Sequence, residues 1–376
     1  MSPTLLMAGR TRYGLPLSPS LARKFDALEQ KLDVHVLAAA RRGGVQQQDP
    51  RFTLVRPSPV LDGPLFYLRL PFLVARELRR RRPDAVLVQG APETALALLG
   101  RRLSRVPSAV ILDLHGDPRA PTRLYGSPLR RLLAPLADAL SRYAVRHADG
   151  VRTLSPFTSR VVRELGVEPA GEFVAFMDLE TFSERPPAPL PETPQLLFVG
   201  VLERYKAVDV IADAWRRAAP RVPSARLHLV GEGTMRAVPE ALVAELPGRV
   251  RWTPRLTTPD VAAAMDDSTA LVLASRSEGL PRIAVEAFCR GRAVLGARAG
   301  GIPDIVVDGE NGLLVPGEDP DALADAMVRL LTERGLAERL GAGARRDVER
   351  WRATPEQHAQ STRELVDRVS GAGGGT

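Results

Sequence analysis

One cysteine, Cys289, occurs in 376 residues. That excludes a disulfide framework and suits a reducing compartment. Lysine is almost as scarce. Lys24, Lys31 and Lys206 are the only three, and the other 49 of the 52 basic residues are arginine. Aromatic residues make up 5% of the chain, too few for the stacking platforms that hold single-stranded nucleic acid. No apolar run is long enough to cross a bilayer as a helix. The opening MSPTLLMAGR lacks the charged and apolar regions of a secretory signal, so none is expected. His35, His147, His228 and His358 show no ligand spacing with one another or with Cys289, and no metal or cofactor is expected. Neither a Walker phosphate loop nor a G-x-G-x-x-G fingerprint is present, which counts against a nucleotide hydrolase or a dehydrogenase.

What is present is a chain that is 44% hydrophobic, long enough for two cores of ordinary size. Its net charge of +8 points to a polyanion: nucleic acid, an acidic lipid surface or a phosphorylated substrate. The scattered arginines and few aromatics argue against nucleic acid. The arginine, alanine, glycine and proline usage also reads as that of a GC-rich genome, which weakens charge as a guide to partners. The run RELRRRRPD (76–84) is either a solvated helix end or a contact for phosphate or membrane. The expected localisation is cytoplasmic, with peripheral contact at the inner face of the membrane as a further expectation.

Apolar strands alternate with amphipathic helices along the chain. TLLMAG (4–9) reads as a short buried strand, and 18–32 carries Leu21, Phe25, Leu28 and Leu32 at helical spacing. DVHVLAA, PDAVLVQG (83–90) and SAVILDLHGD (108–117) are further strands. Strands separated by helices predict a parallel sheet covered on both faces. SERPPAPLPETP (183–194) breaks the alternation with five prolines in twelve residues, the composition of a stiff linker. The alternation then restarts with QLLFVG (195–200), a helix over 206–219, ARLHLVG (225–231), TALVLAS (269–275) and a helix over 281–290. The predicted fold class is α/β, with two doubly wound Rossmann-like domains facing a central cleft. The first spans 1–185, a proline-rich linker 186–194, and the second 195–354. A helix over 355–369 is expected to return to the first domain, followed by a frayed tail over 370–376.

Two glutamates in SRSEGLPRIAVEAFCRG (275–291) carry the chemistry. In open parallel sheets, ligands sit beyond the carboxyl ends of strands. Glu278 and Gly279 fall in such a loop, before a helix whose amides and dipole can cradle phosphate. Pro281 suits the first helical position and gives no amide, leaving Gly279, Leu280 and Arg282 as donors. Glu286 falls inside that helix among Ile283, Ala284, Ala287 and Phe288. A carboxylate buried there needs donors, because burying it unpaired costs several kcal/mol. A ribose diol supplies two hydroxyls; a neighbouring arginine such as Arg290 is the other reading. The pair is too widely spaced for a retaining glycosidase dyad, which needs about 5–5.5 Å. It suits one elongated ligand of sugar, diphosphate and nucleoside.

The segment SEGLPRIAVEAFCRGRAVLGARAGGIPDIVVDGENGLLVPGEDPDALADAM resembles the donor-binding region of family 4 retaining glycosyltransferases of the GT-B fold. Glu278 and Glu286, then GGIPDIV and NGLLV, stand at that family's offsets. LLFVGVLERYKAVDVIADAW resembles the start of its C-terminal domain, and LHLVGEG its nucleotide-side Gly-x-Gly, here Gly231 and Gly233. SPFTSRVVRELGV and FMDLETF resemble the end of its N-terminal domain. The resemblance implies that Glu278 sits against the transferred sugar and Glu286 binds the ribose. It also implies that Lys206 holds the diphosphate. The family's arginine is Val201 here, with Arg204 as its expected substitute, and the family's glycine after the lysine is Ala207. The implied reaction is metal-independent transfer of a sugar, with retention, by front-face attack. The donor is a nucleoside-diphosphate-sugar. The acceptor is a hydroxyl on a glycan, a lipid-linked molecule or a small natural product.

In the first half, DLHGDPR (113–119) follows a strand, which turns His115 and Asp117 toward the cleft. The family often has a histidine at this point, so His115 is expected near the donor sugar or acceptor. MAGRTRYGLPLSPS (7–20) is read as the first strand-to-helix loop, with Gly9 and Arg10 on the acceptor side and Arg12 and Tyr13 shaping that pocket. Competing readings are a sugar-nucleotide epimerase or phosphorylase on the same scaffold, an inactive sugar-nucleotide binder and, with least support, a nucleic-acid binder.

Overall fold

The computed structural model describes residues 2–45, 47–58, 62–120 and 134–371. The frayed tail expected over 370–376 lies outside them beyond Gly371. The chain divides into two compact units. One gathers residues up to 119, then 134–176 and 353–371, and the other holds 177–352.

The first unit is built on seven strands: β1 Thr4–Leu15, β2 Asp33–Val45, β3 Phe52–Val55, β4 Ala85–Gln89, β5 Ala109–Leu114, β6 Gly150–Thr153 and β7 Gly171–Glu172. They form one parallel sheet in the order β3-β2-β1-β4-β5-β6-β7. Its helices are α1 Pro19–Glu29, α2 Asp62–Arg81, α3 Ala91–Ser104, α4 Ala134–His147 and α5 Pro156–Glu164. The strand period of two puts Leu5 and Leu6 on opposite faces. Leu5 joins Phe25, Leu28 and Leu87 in one core, and Leu6 joins Phe66, Leu70, Val74 and Leu98 in the other.

β1 runs well past the predicted 4–9. Arg12 pairs with Ala39, Tyr13 with Ala40 and Leu15 with Val45, because β2 is long enough to keep pairing. The stretch read as a loop is therefore a strand extension.

The second unit has β8 Gln195–Val199, β9 Arg226–Val230, β10 Val250–Thr253, β11 Ala270–Leu273, β12 Ala293–Ala297 and β13 Gly312–Val315. These too are parallel, in the order β10-β9-β8-β11-β12-β13. The helices are α6 Glu180–Ser183, α7 Val208–Ala218, α8 Ala237–Glu245, α9 Thr258–Asp266, α10 Arg282–Cys289, α11 Ile302–Ile305, α12 Pro320–Thr332 and α13 Arg334–Trp351. Trp215, Phe198, Leu227 and Leu330 fill its core. Asp319 caps α12 by accepting from the amides of Asp321 and Ala322, with Pro320 in the first turn, as its sequence implies.

The proline-rich segment is held along the second unit. Proline lacks an N–H but keeps its carbonyl, and three arginines use these acceptors. Arg290 donates to the carbonyls of Arg185 and Pro186, Arg292 to that of Pro189, and Arg334 to those of Leu190 and Pro191. Arg290 and Arg292 are 3% and 2% exposed; Asp266 pairs with Arg290, and Arg292 also donates to the carbonyls of Met265, Arg290 and Asp266.

After α13 the chain enters α14, Pro355–Ser370, which packs on α1 and adds Ala359, Leu365 and Val366 to the first unit's core.

Candidate functional site

In the second unit, β8 and β11 are neighbours, so the loops leaving their carboxyl ends lie side by side. The loop after β8 enters a single 3-10 turn, Arg204–Lys206. Lys206 is 9% exposed. Its Nζ donates to Glu278 Oε1 at 2.6 Å and lies 5.1 Å from the centre of the Tyr205 ring. Ala207, the next residue, is fully buried with φ of 53°. That left-handed conformation favours glycine.

Arg276 ties the two loops together. Its backbone N–H donates to the Tyr205 carbonyl at 2.7 Å, and its Nη1 donates to the Arg204 carbonyl. Its guanidinium pairs with Asp209 at 2.9 Å and with Glu318 at 2.6 Å. The turn carrying Lys206 is thereby fixed to the loop carrying Glu278.

Glycines let the backbones close up around this pair. Gly231, at φ of 147°, would put a Cβ 1.8 Å from the Gly200 carbonyl oxygen. A Cβ on Gly233 would lie 2.4 Å from that of Leu202. On the other side, Cβ atoms on Gly300 and Gly301 would lie 2.6 Å from the Glu278 oxygen and 2.0 Å from the Gly279 oxygen.

Helix α10 begins just beyond. Pro281 stands at its N-cap position rather than the first helical one, and no side chain caps the helix. Its first amides therefore face outward from the end of β11 as hydrogen-bond donors. Glu286 is 8% exposed. Burial raises its pKa above the ordinary carboxylate value, while Arg282 pulls the other way. Arg282 Nε donates to Glu286 Oε1 at 2.6 Å, one helical turn away, and its Nη2 donates to the Asp178 carbonyl. The arginine beside Glu286 is thus Arg282. Arg290 pairs with Asp266 instead.

In the first unit, a cavity of about 80 Å³ is lined by Gly9, Lys24, Gln89, His115, Arg152 and His358, among others. His115 follows β5. Its Nε2–H donates to Asp113 Oδ2 at 2.9 Å, which leaves Nδ1 to accept from the Gln89 amide at 3.2 Å. The other Asp113 oxygen accepts from Arg152 at 2.6 Å. Asp113 is held ionised, its pKa well below the carboxylate range, because Arg152 and His115 outweigh the cost of its burial. Lys24 reaches toward the same group, and burial lowers its pKa.

Two family models match the chain. One, described as glycosyl transferases group 1, matches residues 193–333, and the other, a glycosyl transferase 4-like domain, matches 19–174. The chain belongs to the group 1 glycosyltransferases.

Among similar proteins are D-inositol 3-phosphate glycosyltransferases. That of Frankia alni is 36% identical over 186 residues, covering 45% of this chain and 46% of the relative. That of Streptomyces bingchenggensis is 32% identical, over 44% of this chain and 40% of the relative. The matches thus span less than half of those relatives' length. Among solved structures, sucrose-phosphate synthase from Thermosynechococcus elongatus superposes with a TM-score of 0.74 at 19% identity, covering 98% of this chain and 100% of that one. Anabaena HepE in complex with UDP-glucose gives 0.68 at 16%, covering 95% and 98%. These likenesses show that the fold is GT-B.

Within this glycosyltransferase, the residues singled out from sequence separate into groups. Lys206, Glu278, Gly279, Leu280, Arg282 and Glu286 belong to adjoining segments at the end of β11. Gly231 and Gly233 meet backbone of the same unit, which by itself requires glycine. Arg204 is exposed, and its carbonyl rather than its guanidinium serves the site. Arg10 pairs with Asp62 and lies over the Tyr67 ring. Arg12 pairs with Asp62 as well. Tyr13 packs edge-on against Phe25 and Phe52 and also lines the cavity beside Gly9 and His115. Asp117 accepts from the backbone and guanidinium of Arg119 in a local turn. A methyl at Gly9 would meet nothing within 4 Å, so nothing there demands glycine.

Sequence reading missed Asp113 and Arg276. Asp113 stands two residues before His115 in DLHGDPR, the strand spacing that puts both on one face. Arg276 had no such signal, since its partners Asp209 and Glu318 are far away in sequence.

Proposed function

We propose that the protein moves a sugar from a nucleoside-diphosphate-sugar to a hydroxyl acceptor, with retention at the anomeric carbon and without a metal. The observation carrying this reading is the 2.6 Å pair of Lys206 with Glu278, beside the uncapped start of α10, with the buried Glu286 about one turn into that same helix. The diphosphate lies against the α10 amides and the Lys206 ammonium, which neutralise charge developing on the leaving group. Glu286, with Arg282 moved aside, accepts from the ribose hydroxyls. Glu278 accepts from a hydroxyl of the transferred ring and holds Lys206 in place.

In the transfer, the acceptor oxygen bonds to the anomeric carbon as the bond to the diphosphate breaks. The acceptor proton passes to the departing phosphate oxygen. His115, oriented by ionised Asp113, stands in the first unit as the group that positions the acceptor or the ring. The solved relative holding UDP-glucose makes a UDP-sugar the first donor to try.

Thermal-shift measurements with UDP-, GDP- and dTDP-sugars test the reading, since a ligand bound only by the native state raises the Tm. One series should stabilise the protein, and Glu286→Gln should weaken that binding about tenfold or more. No shift with any series, or an unchanged affinity in Glu286→Gln, would refute the assignment.

A further inference from the structure

Seven large apolar side chains are exposed among the described residues, and five of them lie on the packed helices α2, α3 and α4 of the first unit. Leu68 and Phe72 are 71% and 68% exposed. They stand four residues apart, hence on one face of α2. Leu99 and Leu103 repeat the spacing on α3. The two helices touch closely at Gly100, where a Cβ would lie 2.7 Å from the Pro71 carbonyl oxygen. Near their ends, Arg79 donates to the Leu103 carbonyl. The four side chains therefore belong to one two-helix surface.

Arginines surround them. Arg69, Arg76 and Arg79 are exposed on α2, and Arg102 on α3. The acidic residues of these helices are few and engaged. Glu77 is fully buried and paired with Arg76 and Arg81, Asp62 is paired with Arg12, and Glu93 accepts from Tyr67. The face thus combines projecting apolar side chains with a surplus of positive charge: Glu77 offsets Arg76, while Arg69, Arg79 and Arg102 have no acidic partner among the described residues of these two helices. It does not carry the unbroken apolar surface of an obligate protein interface.

We propose that this α2–α3 face docks on an anionic lipid bilayer, with Leu68, Phe72, Leu99 and Leu103 entering the headgroup region and the arginines held by lipid phosphates. A helix face of apolar and basic side chains lies in the membrane interface for these reasons. The docking is independent of the donor site.

Cosedimentation of the full chain with phosphatidylglycerol-containing vesicles and with pure phosphatidylcholine vesicles tests it. Binding is expected to the first at low salt, falling as salt screens the charges. Each arginine contributes about fivefold to partitioning onto an anionic surface, so Arg69→Glu/Arg102→Glu should weaken binding by at least about 25-fold. Leu68→Ser/Phe72→Ser should weaken it by about tenfold or more. Both variants change exposed side chains of the first unit, whereas the donor residues belong to the second, so circular dichroism and nucleotide-sugar binding should match the wild type. Equal binding to both vesicle types, no sedimentation with either, or wild-type binding by both variants would overturn the proposal. Nucleotide-sugar binding is read separately, so losing one result leaves the other standing.

Discussion

Gly301 donates its backbone N–H to the Glu278 carbonyl at 2.8 Å, and a methyl on its Cα would lie 2.0 Å from the Gly279 oxygen. Gly301→Ala must therefore push the Glu278 loop away. The expected cost is about 2–3 kcal/mol of stability, read by denaturant unfolding. Nucleotide-sugar affinity should fall with it. A variant that folds normally and binds donor as tightly as wild type would show that the loop need not stay where Gly301 holds it.

The Lys206–Glu278 pair has side chains only 11% and 12% exposed. Lys206→Met leaves a carboxylate without its partner, and Glu278→Gln leaves an ammonium. Each is expected to cost about 1–3 kcal/mol, with the double variant costing less than the sum. Turnover in Lys206→Met should drop by about 100-fold or more, since the leaving diphosphate loses its cation. A double-mutant cycle with steady-state kinetics measures both. Strict additivity in stability would deny the coupling, and undiminished turnover would deny the role.

Ala207 occupies the left-handed region at φ of 53° with its Cβ fully buried. A β-branched residue tolerates that conformation poorly. Ala207→Val should destabilise by about 2 kcal/mol or more. In Ala207→Gly, relief of strain is offset by lost burial and by a more flexible unfolded chain, so the change should stay within about 1 kcal/mol. Urea unfolding of the two variants checks the contrast; equal stabilities would mean that backbone strain is absent at this position.

His35 on β2 bonds Thr53 on β3, and His228 on β9 bonds Thr253 on β10, both at 2.9 Å. Burial lowers both imidazoles from the ordinary value of 6.5 to about 4. The fold thus favours the neutral form, and the unfolded chain binds protons first. This contribution to stability is complete above pH 6.5 and is lost as the pH falls toward 4. His228→Gln should flatten the decline of unfolding free energy across that window. An acid limb as steep as that of the wild type would exclude His228 as a source.

Much of this was legible from residue order. The alternation of strand and helix gave both sheets, Glu278 and Glu286 were marked by a strand end and a carboxylate in an apolar helix, and Lys206 came from the family resemblance, its rarity in an arginine-rich chain adding support. The extension of β1 was misread because Gly9, Gly14 and two arginines look like a loop. Yet Arg10 and Arg12 alternate with Thr11, Tyr13 and Leu15 at the strand period. The supports were harder to see. Arg276 acts through carboxylates 67 and 42 residues away, and Gly301 acts through a carbonyl. Local pattern carries neither distance. The proline-rich segment read only as a stiff linker because its acceptors are carbonyls that any sequence possesses, while the arginines using them lie 103 to 144 residues on.

The placement of α14 has a consequence for biosynthesis. Ala359, Leu365 and Val366 complete the core built on β1, β2 and α1, so strands made well before it wait for a helix made after the whole of 177–352. The later-made unit can finish first, from contiguous chain, while the earlier one stays open on one face. A chaperone that shields nascent chains would find its longest-lived target on the α1 side of that sheet.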